Sequence, residues 1–188
     1  YGQTHTDKDI REAFDVSLNL GVRFVDTAEI YGSGTSERLL GQFIKETDQP
    51  VLVATKFFPW PWRLTKGTIP RALKGSLERM ELESVDLYQI HWPSYLMTPE
   101  TMMEGMVECI KQGLTRTVGV SNFGQKRMLR AYSTLAQHGI PLASNQVHYS
   151  LLSREVEKNG TLARCKELGI RLIAYSPLEK GLLTGKYS

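Results

Sequence analysis

The sequence predicts an α/β protein: a (β/α)8 barrel of the TIM type, incomplete within these 188 residues. Three observations predict it. Short β-rich runs recur every 27–34 residues, a helical pattern fills each interval, and nearly every run ends on a polar or ionisable residue. Strands alternating with helices of this length pair in parallel through right-handed crossovers, which leaves an open doubly wound sheet or a closed barrel. In an open sheet, ligand residues gather at one switch point; in a barrel they converge from many strand ends onto one mouth. Contributions from six strands favour the barrel.

The elements follow in order. A helical pattern over Asp7–Leu20 comes first, with no strand ahead of it, and the run VRFVD begins at Val22. The glycines of Gly32–Gly34 lack both the GxGxxG and the GKS/T patterns of phosphate loops, so they read as a turn into the helix start Thr35-Ser36-Glu37. Helix Ser36–Glu46 leads to VLVATK from Val51, and helix Thr68–Glu81 carries Ile69, Ala72, Leu73, Leu77 and Met80 at helical spacing. After VDLYQIH from Val85 comes helix Pro99–Gln112. Met97, Met102, Met103 and Met106 fit its buried stripe better than an adaptable binding surface. TRTVGVS from Thr115, helix Gln125–His138, LASNQV from Leu142, helix Val156–Leu168 and RLIAYS from Arg171 complete the series. Gly21, Gly113, Gly139 and Gly169 each follow a helical pattern, where a left-handed terminating residue is required. The expectation is one domain over 1–188 with six strands and six helices. A full barrel has eight of each in ~250 residues, so strand one and the region after strand seven are expected to lie outside this sequence, which reads as a fragment.

Composition narrows the function classes. With 41% hydrophobic and 23% charged residues, the chain has the balance of a folded globular protein. A net charge of +3 is too small to imply nucleic acid, and basic pairs such as Lys126-Arg127 read as a solvated helix face. No apolar run approaches the ~18 residues of a membrane span. The polar opening, Tyr1 to Asp9, lacks the features of a signal peptide. Cys109 and Cys165 show no CxxC spacing and read as reduced, partly buried thiols, which suits a reducing compartment such as the cytoplasm. The four histidines show no metal-ligand spacing, so no metal is expected.

Four residues near strand ends suggest carbonyl reduction. Hydride attack on a carbonyl carbon builds negative charge on the oxygen, which must be protonated. Tyr31 lies five residues beyond Asp26 in DTAEIYGSG. A free tyrosine, with a pKa near ~10, is a poor acid or base at neutral pH, and a nearby cation favours its phenolate. Lys56 can supply that charge, Asp26 can hold the ammonium, and His91 can donate a hydrogen bond to the substrate oxygen. Alone, each has a plainer reading: a structural salt bridge, a packing tyrosine, a satisfied core histidine. Their placement on three successive strand ends selects the chemical one. For Ser121-Asn122, helix capping is the plain alternative. The cluster Phe57, Phe58, Trp60 and Trp62 reads equally as a substrate-pocket wall, favouring apolar or aromatic carbonyls, or as packing.

The segments FVDTAEIYG, VATKF, LYQIHWP, VGVSNF, SNQV and AYSPL, in that order, resemble the signatures of the aldo-keto reductase family from about Gly21 to Tyr187. The resemblance implies an NADPH (NADP+)-dependent reductase of small carbonyl substrates, with Asp26, Tyr31, Lys56 and His91 as catalytic tetrad and Tyr31 as proton donor. It implies that Ser121, Asn122 and Gln146 bond the nicotinamide carboxamide, that Tyr175 stacks on the ring, and that Ser176 and Leu178 lie along the pyrophosphate. Chemically, Ser, Asn and Gln match a carboxamide's acceptor and two donors. In the family, the basic residues that hold the adenosine half follow the last strand, so NADPH over NADH rests on the family alone. KFFPWPWRLTKG and IPLASNQVHYSLL are similar to a plant plastid and cyanobacterial branch, which raises a general detoxifying aldehyde reductase or a pyridoxal-reducing enzyme. The family also resembles potassium-channel β subunits, so a cofactor-binding regulatory subunit is the rival reading, and an inactive truncated form is a third. A barrel short of two strands leaves sheet edges unpaired. The 188-residue chain alone is therefore expected to bind cofactor poorly and turn over slowly or not at all.

Overall fold

The computed structural model describes residues 6–186. Six parallel strands lie in sequence order: β1 (Phe24–Asp26), β2 (Leu52–Phe57), β3 (Val85–Ile90), β4 (Thr115–Ser121), β5 (Leu142–His148) and β6 (Arg171–Tyr175). Each pairs only with its sequence neighbours, and the sheet curls into a half-barrel with helices on its outer side. The helices are α1 (Asp7–Asn19), α2 (Thr35–Lys45), α3 (Thr68–Met80), α4 (Pro99–Lys111), α5 (Gln125–Ala136), α6 (Glu155–Lys158) and α7 (Thr161–Glu167). The helical pattern over Val156–Leu168 is therefore two helices and not one. Gly160 breaks it at φ 80°, a left-handed conformation that ends α6 before α7 begins.

Alternation along each strand sorts the side chains. Val53, Phe57, Tyr88, Ile90, Val118 and Val120 face the helices and join a core with Leu73, Leu77, Met102, Met103 and Met106. The methionine stripe of α4 is accordingly buried, as is Met97 just ahead of the helix. Gly41 in α2 allows the closest helix approach: a Cβ there would lie 2.2 Å from the carbonyl oxygen of Met80 at the end of α3. Gly21, Gly113, Gly139 and Gly169 all take positive φ behind their helices. Cys109 and Cys165 are buried and unpaired, and burial pushes the Cys109 thiol up to about 12, which leaves it inert. No helix among the described residues is long and apolar enough to cross a membrane.

The inner face is polar. Register pairs Lys56 with Gln89, Gln89 with Gly119 and Gly119 with Ser144. The Ser144 hydroxyl donates to Gln89 Oε1 at 3.1 Å, directly over Gly119, where an added Cβ would sit 2.2 Å from Ser144 Oγ. Gln89 Nε2 is buried without a hydrogen-bond partner.

Candidate active site

Parallel strands present all their C-terminal ends at one rim, and Asp26, Lys56, His91, Ser121, Gln146 and Tyr175 sit there. The most buried of them is Lys56, with no exposed side-chain surface. Its ammonium donates to Asp26 Oδ2 at 2.5 Å and to the Thr27 carbonyl at 2.8 Å. Burial lowers the lysine's proton affinity, and the Asp26 charge and hydrogen bond oppose that shift. A short 3₁₀ turn over Tyr31–Gly34 swings Tyr31 back over the rim. Lys56 Nζ stands 5.1 Å from the centre of the Tyr31 ring. The same ring meets His91 edge-on, with centroids 5.6 Å apart at 81°.

His91 follows β3, and its backbone N–H donates to the Phe57 carbonyl at 2.9 Å. The ring is nearly buried, and Nδ1 has no hydrogen-bond partner. Desolvation first, then the Lys56 charge, holds the imidazole down to about 4, so it is neutral at ordinary pH. This has a consequence for stability. The unfolded imidazole takes up a proton below its ordinary 6.5, whereas the folded one resists until about 4. We therefore expect His91 to cost the fold on the order of 3 kcal/mol as pH falls from 7 to below 4, with no further loss beneath that window. Urea midpoints measured across the range should fall less steeply for His91→Gln than for the parent; identical slopes would refute the assignment.

The second group lies one strand further round. Asn122, at φ 61°, donates from Nδ2 to the His91 carbonyl at 3.1 Å and to Ser121 Oγ at 3.0 Å. Its Oδ1 accepts from the Tyr175 hydroxyl at 3.0 Å. Ser121 Oγ and Asn122 N both donate to the Gln146 carbonyl, at 2.9 Å and 2.8 Å. The Gln146 side-chain amide has no hydrogen bond among the described residues. A buried primary amide with unmet donors and an acceptor, beside Ser121 and Asn122, suits another planar carboxamide. Ser121 and Asn122 do not cap α5, which begins at Gln125 behind Gly124 with no side-chain cap; their bonds run to Gln146, His91 and Tyr175 instead.

Sequence reasoning missed His148. Its ring stacks on Tyr175 with centroids 5.3 Å apart at 8°, and its Nε2 lies 2.9 Å from Glu179 Oε1. Ser176, at φ 51°, lines a solvent-open hollow with His148, Tyr175, Glu179, Lys180 and Leu182. Leu178 is exposed and does not line that hollow.

The aromatic cluster divides. Phe57 is fully buried in the core. Phe58, Trp60 and Trp62 form a ladder that runs outward from His91. Phe58 meets the imidazole edge-on at 5.9 Å, Phe58 and Trp60 lie 4.6 Å apart, and Trp60 stacks on Trp62 at 5.1 Å and 5°. Also unforeseen is Glu29, which joins this loop to the loop carrying Tyr31 by an ion pair with Arg63. No local pattern announces such a pair, because its partners are far apart in sequence.

The profile described as the Aldo/keto reductase family matches residues 2–188. The chloroplastic pyridoxal reductase of Arabidopsis thaliana is 44% identical over 199 residues, covering 99% of this chain and 54% of that protein. A thermostable aldo-keto reductase in complex with the inhibitor epalrestat superposes with a TM-score of 0.86 at 34% identity, covering 98% of this chain and 66% of that one. An aldo-keto reductase from Klebsiella pneumoniae in complex with NADPH gives a TM-score of 0.83 at 30% identity, covering 95% and 61%. The chain spans about half the length of the curated relatives it matches.

Proposed function

The chain belongs to the aldo/keto reductase family, and from that premise we propose that it reduces aldehyde or ketone carbonyls to alcohols with NADPH, Tyr31 serving as the acid. The observation that carries this reading is the convergence of Asp26, Lys56, Tyr31 and His91 at one end of three adjacent strands. When bound, the reduced nicotinamide supplies a hydride to the carbonyl carbon. Tyr31 delivers its phenolic proton to the developing alkoxide. Lys56, beside the Tyr31 ring and held by Asp26, stabilises the phenolate left behind. His91, neutral, donates a ring N–H to the carbonyl oxygen and orients it. Gln146, Ser121 and Asn122 hold the carboxamide. Tyr175, backed on one side by His148, offers its other face to the nicotinamide. Ser176 and Leu178, in the turn after β6, would lie along the pyrophosphate. NADPH is supported by the Klebsiella relative, solved in complex with it.

The ladder of Phe58, Trp60 and Trp62 favours flat aromatic aldehydes, among which the name of the Arabidopsis relative points to pyridoxal. The test follows loss of reduced nicotinamide with NADPH or NADH and a panel of aldehydes. It uses the 188-residue chain and the longest polypeptide its gene encodes. The reading expects aldehyde-dependent oxidation, faster with NADPH. Cofactor binding without turnover in both forms would overturn it.

A further inference from the structure

We infer that the Glu29–Arg63 ion pair is a positioning device: it fixes the aromatic ladder against the loop carrying Tyr31 and so sets the preference for aromatic over aliphatic carbonyls. The inference rests on the proposed reductase reading and adds residues to which that reading gives no part.

Glu29 lies between Asp26 and Tyr31 in sequence, and its side chain is only 8% exposed. Such burial of a carboxylate needs compensation, and Arg63 provides it with both arms: Nη1 to Oε1, and Nη2 to Oε2 at 3.0 Å. The pair also takes up both backbone polar groups of Phe58. Phe58 N–H donates to Glu29 Oε1 at 2.6 Å, and Arg63 Nη1 donates to the Phe58 carbonyl at 2.9 Å. The guanidinium lies 4.9 Å from the centre of the Phe57 ring, which anchors it to the core.

Phe58 is where the ladder meets the chemistry, because its ring abuts His91, and His91 abuts Tyr31. The segment between β2 and α3 has prolines at 59 and 61, which lack the N–H groups that could tie it down otherwise. Charge-assisted, two-pronged bonds from Glu29 supply that restraint and orient it. A carboxylate on the Tyr31 loop thereby fixes how far the wall stands from the acid. With the pair broken, Phe58 and the stacked indoles beyond it lose their fixed distance from His91. A flat ring bound against them would then sit less often in reach of Tyr31, whereas a small aliphatic aldehyde makes little use of that wall.

The test compares Glu29→Ala, Glu29→Gln and Arg63→Met with a control, Glu37→Gln, which weakens a buried ion pair on the outer side of the sheet. The readouts are the ratio of kcat/KM for benzaldehyde over propanal, and the exciton band of the stacked Trp60 and Trp62 indoles in circular dichroism. Glu29→Ala and Arg63→Met should lower the ratio ~10-fold, the scale of one aromatic contact, mainly through the benzaldehyde KM. The exciton band should weaken with it. Glu29→Gln keeps the shape and an acceptor for Phe58 N–H, so it should fold and show a smaller drop in the same direction. Glu37→Gln should leave the ratio and the band unchanged. An equal drop in Glu37→Gln, or an unaltered ratio with an intact band in Glu29→Ala, would overturn the inference. Absence of any carbonyl turnover in the parent would defeat the reductase reading instead, and the band alone would then decide whether the pair holds the ladder.

Discussion

Replacing Tyr31 with phenylalanine should lower kcat/KM for carbonyl reduction by about 10²–10⁴-fold, the range of a positioned general acid. The substitution isolates the hydroxyl. A phenylalanine ring preserves the face toward the Lys56 ammonium and the edge contact with His91. The residues assigned to the carboxamide lie on β4, just past it, and on β5, and Tyr175 lies on β6, away from the Tyr31 turn. Affinity for NADPH, read from nicotinamide fluorescence, should therefore change by less than about 2-fold while single-turnover hydride transfer slows. Parent-like rates in Tyr31→Phe would remove the assigned acid, and a matching collapse of cofactor affinity would show that the ring serves binding.

A large effect on stability is expected from Glu37→Ala, at about 2–3 kcal/mol, because the partly buried Arg79 guanidinium and the buried Thr55 hydroxyl would lose their acceptor. Glu37 begins in the first turn of α2 and is fully buried on the outer side of the sheet. It accepts from Thr55 Oγ1 at 2.7 Å and from Arg79 Nε at 2.6 Å. Gly34 makes room for this: a Cβ there would fall 2.6 Å from Arg79 Cδ, and its φ of +88° suits glycine. Exposed pairs such as Arg130 with Glu100 contribute far less, since water competes for both partners. Urea unfolding should show a lower midpoint with an unchanged slope. A loss below ~1 kcal/mol would mean that Arg79 escapes to solvent and that the pair is marginal.

Much of the architecture was legible because it is periodic. Strands read from Val85, Thr115, Leu142 and Arg171 begin at those residues, and helices read from Asp7, Thr68, Pro99 and Gln125 begin at theirs. The first two strands start one or two residues later than their β-rich runs, at Phe24 and Leu52. The helical pattern over Val156–Leu168 divides at Asn159-Gly160, a turn signal, even though its apolar spacing continues across that dipeptide. In the candidate site, Asp26, Lys56 and His91 were readable as ionisable groups closing apolar runs. Glu29 and His148 were not, nor was the buried role of Glu37 on the outer side of the sheet. Their roles depend on Arg63, Arg79 and Tyr175, which lie 27–42 residues away and share no local pattern with them. Phe57 and Phe58 show the limit of composition, since adjacent aromatics on one run face opposite surroundings, core and rim.

Two side-chain contacts on the inner face skip a strand. Ser144 on β5 reaches Gln89 on β3 over Gly119, and Tyr175 on β6 reaches Asn122, just past β4, across β5. On a flat sheet, groups two strands apart stand parallel with roughly 10 Å between them. These contacts therefore act as chords across an arc, one at mid-depth and one at the mouth. Within these six strands, the two contacts hold the curvature of the sheet from its inner face.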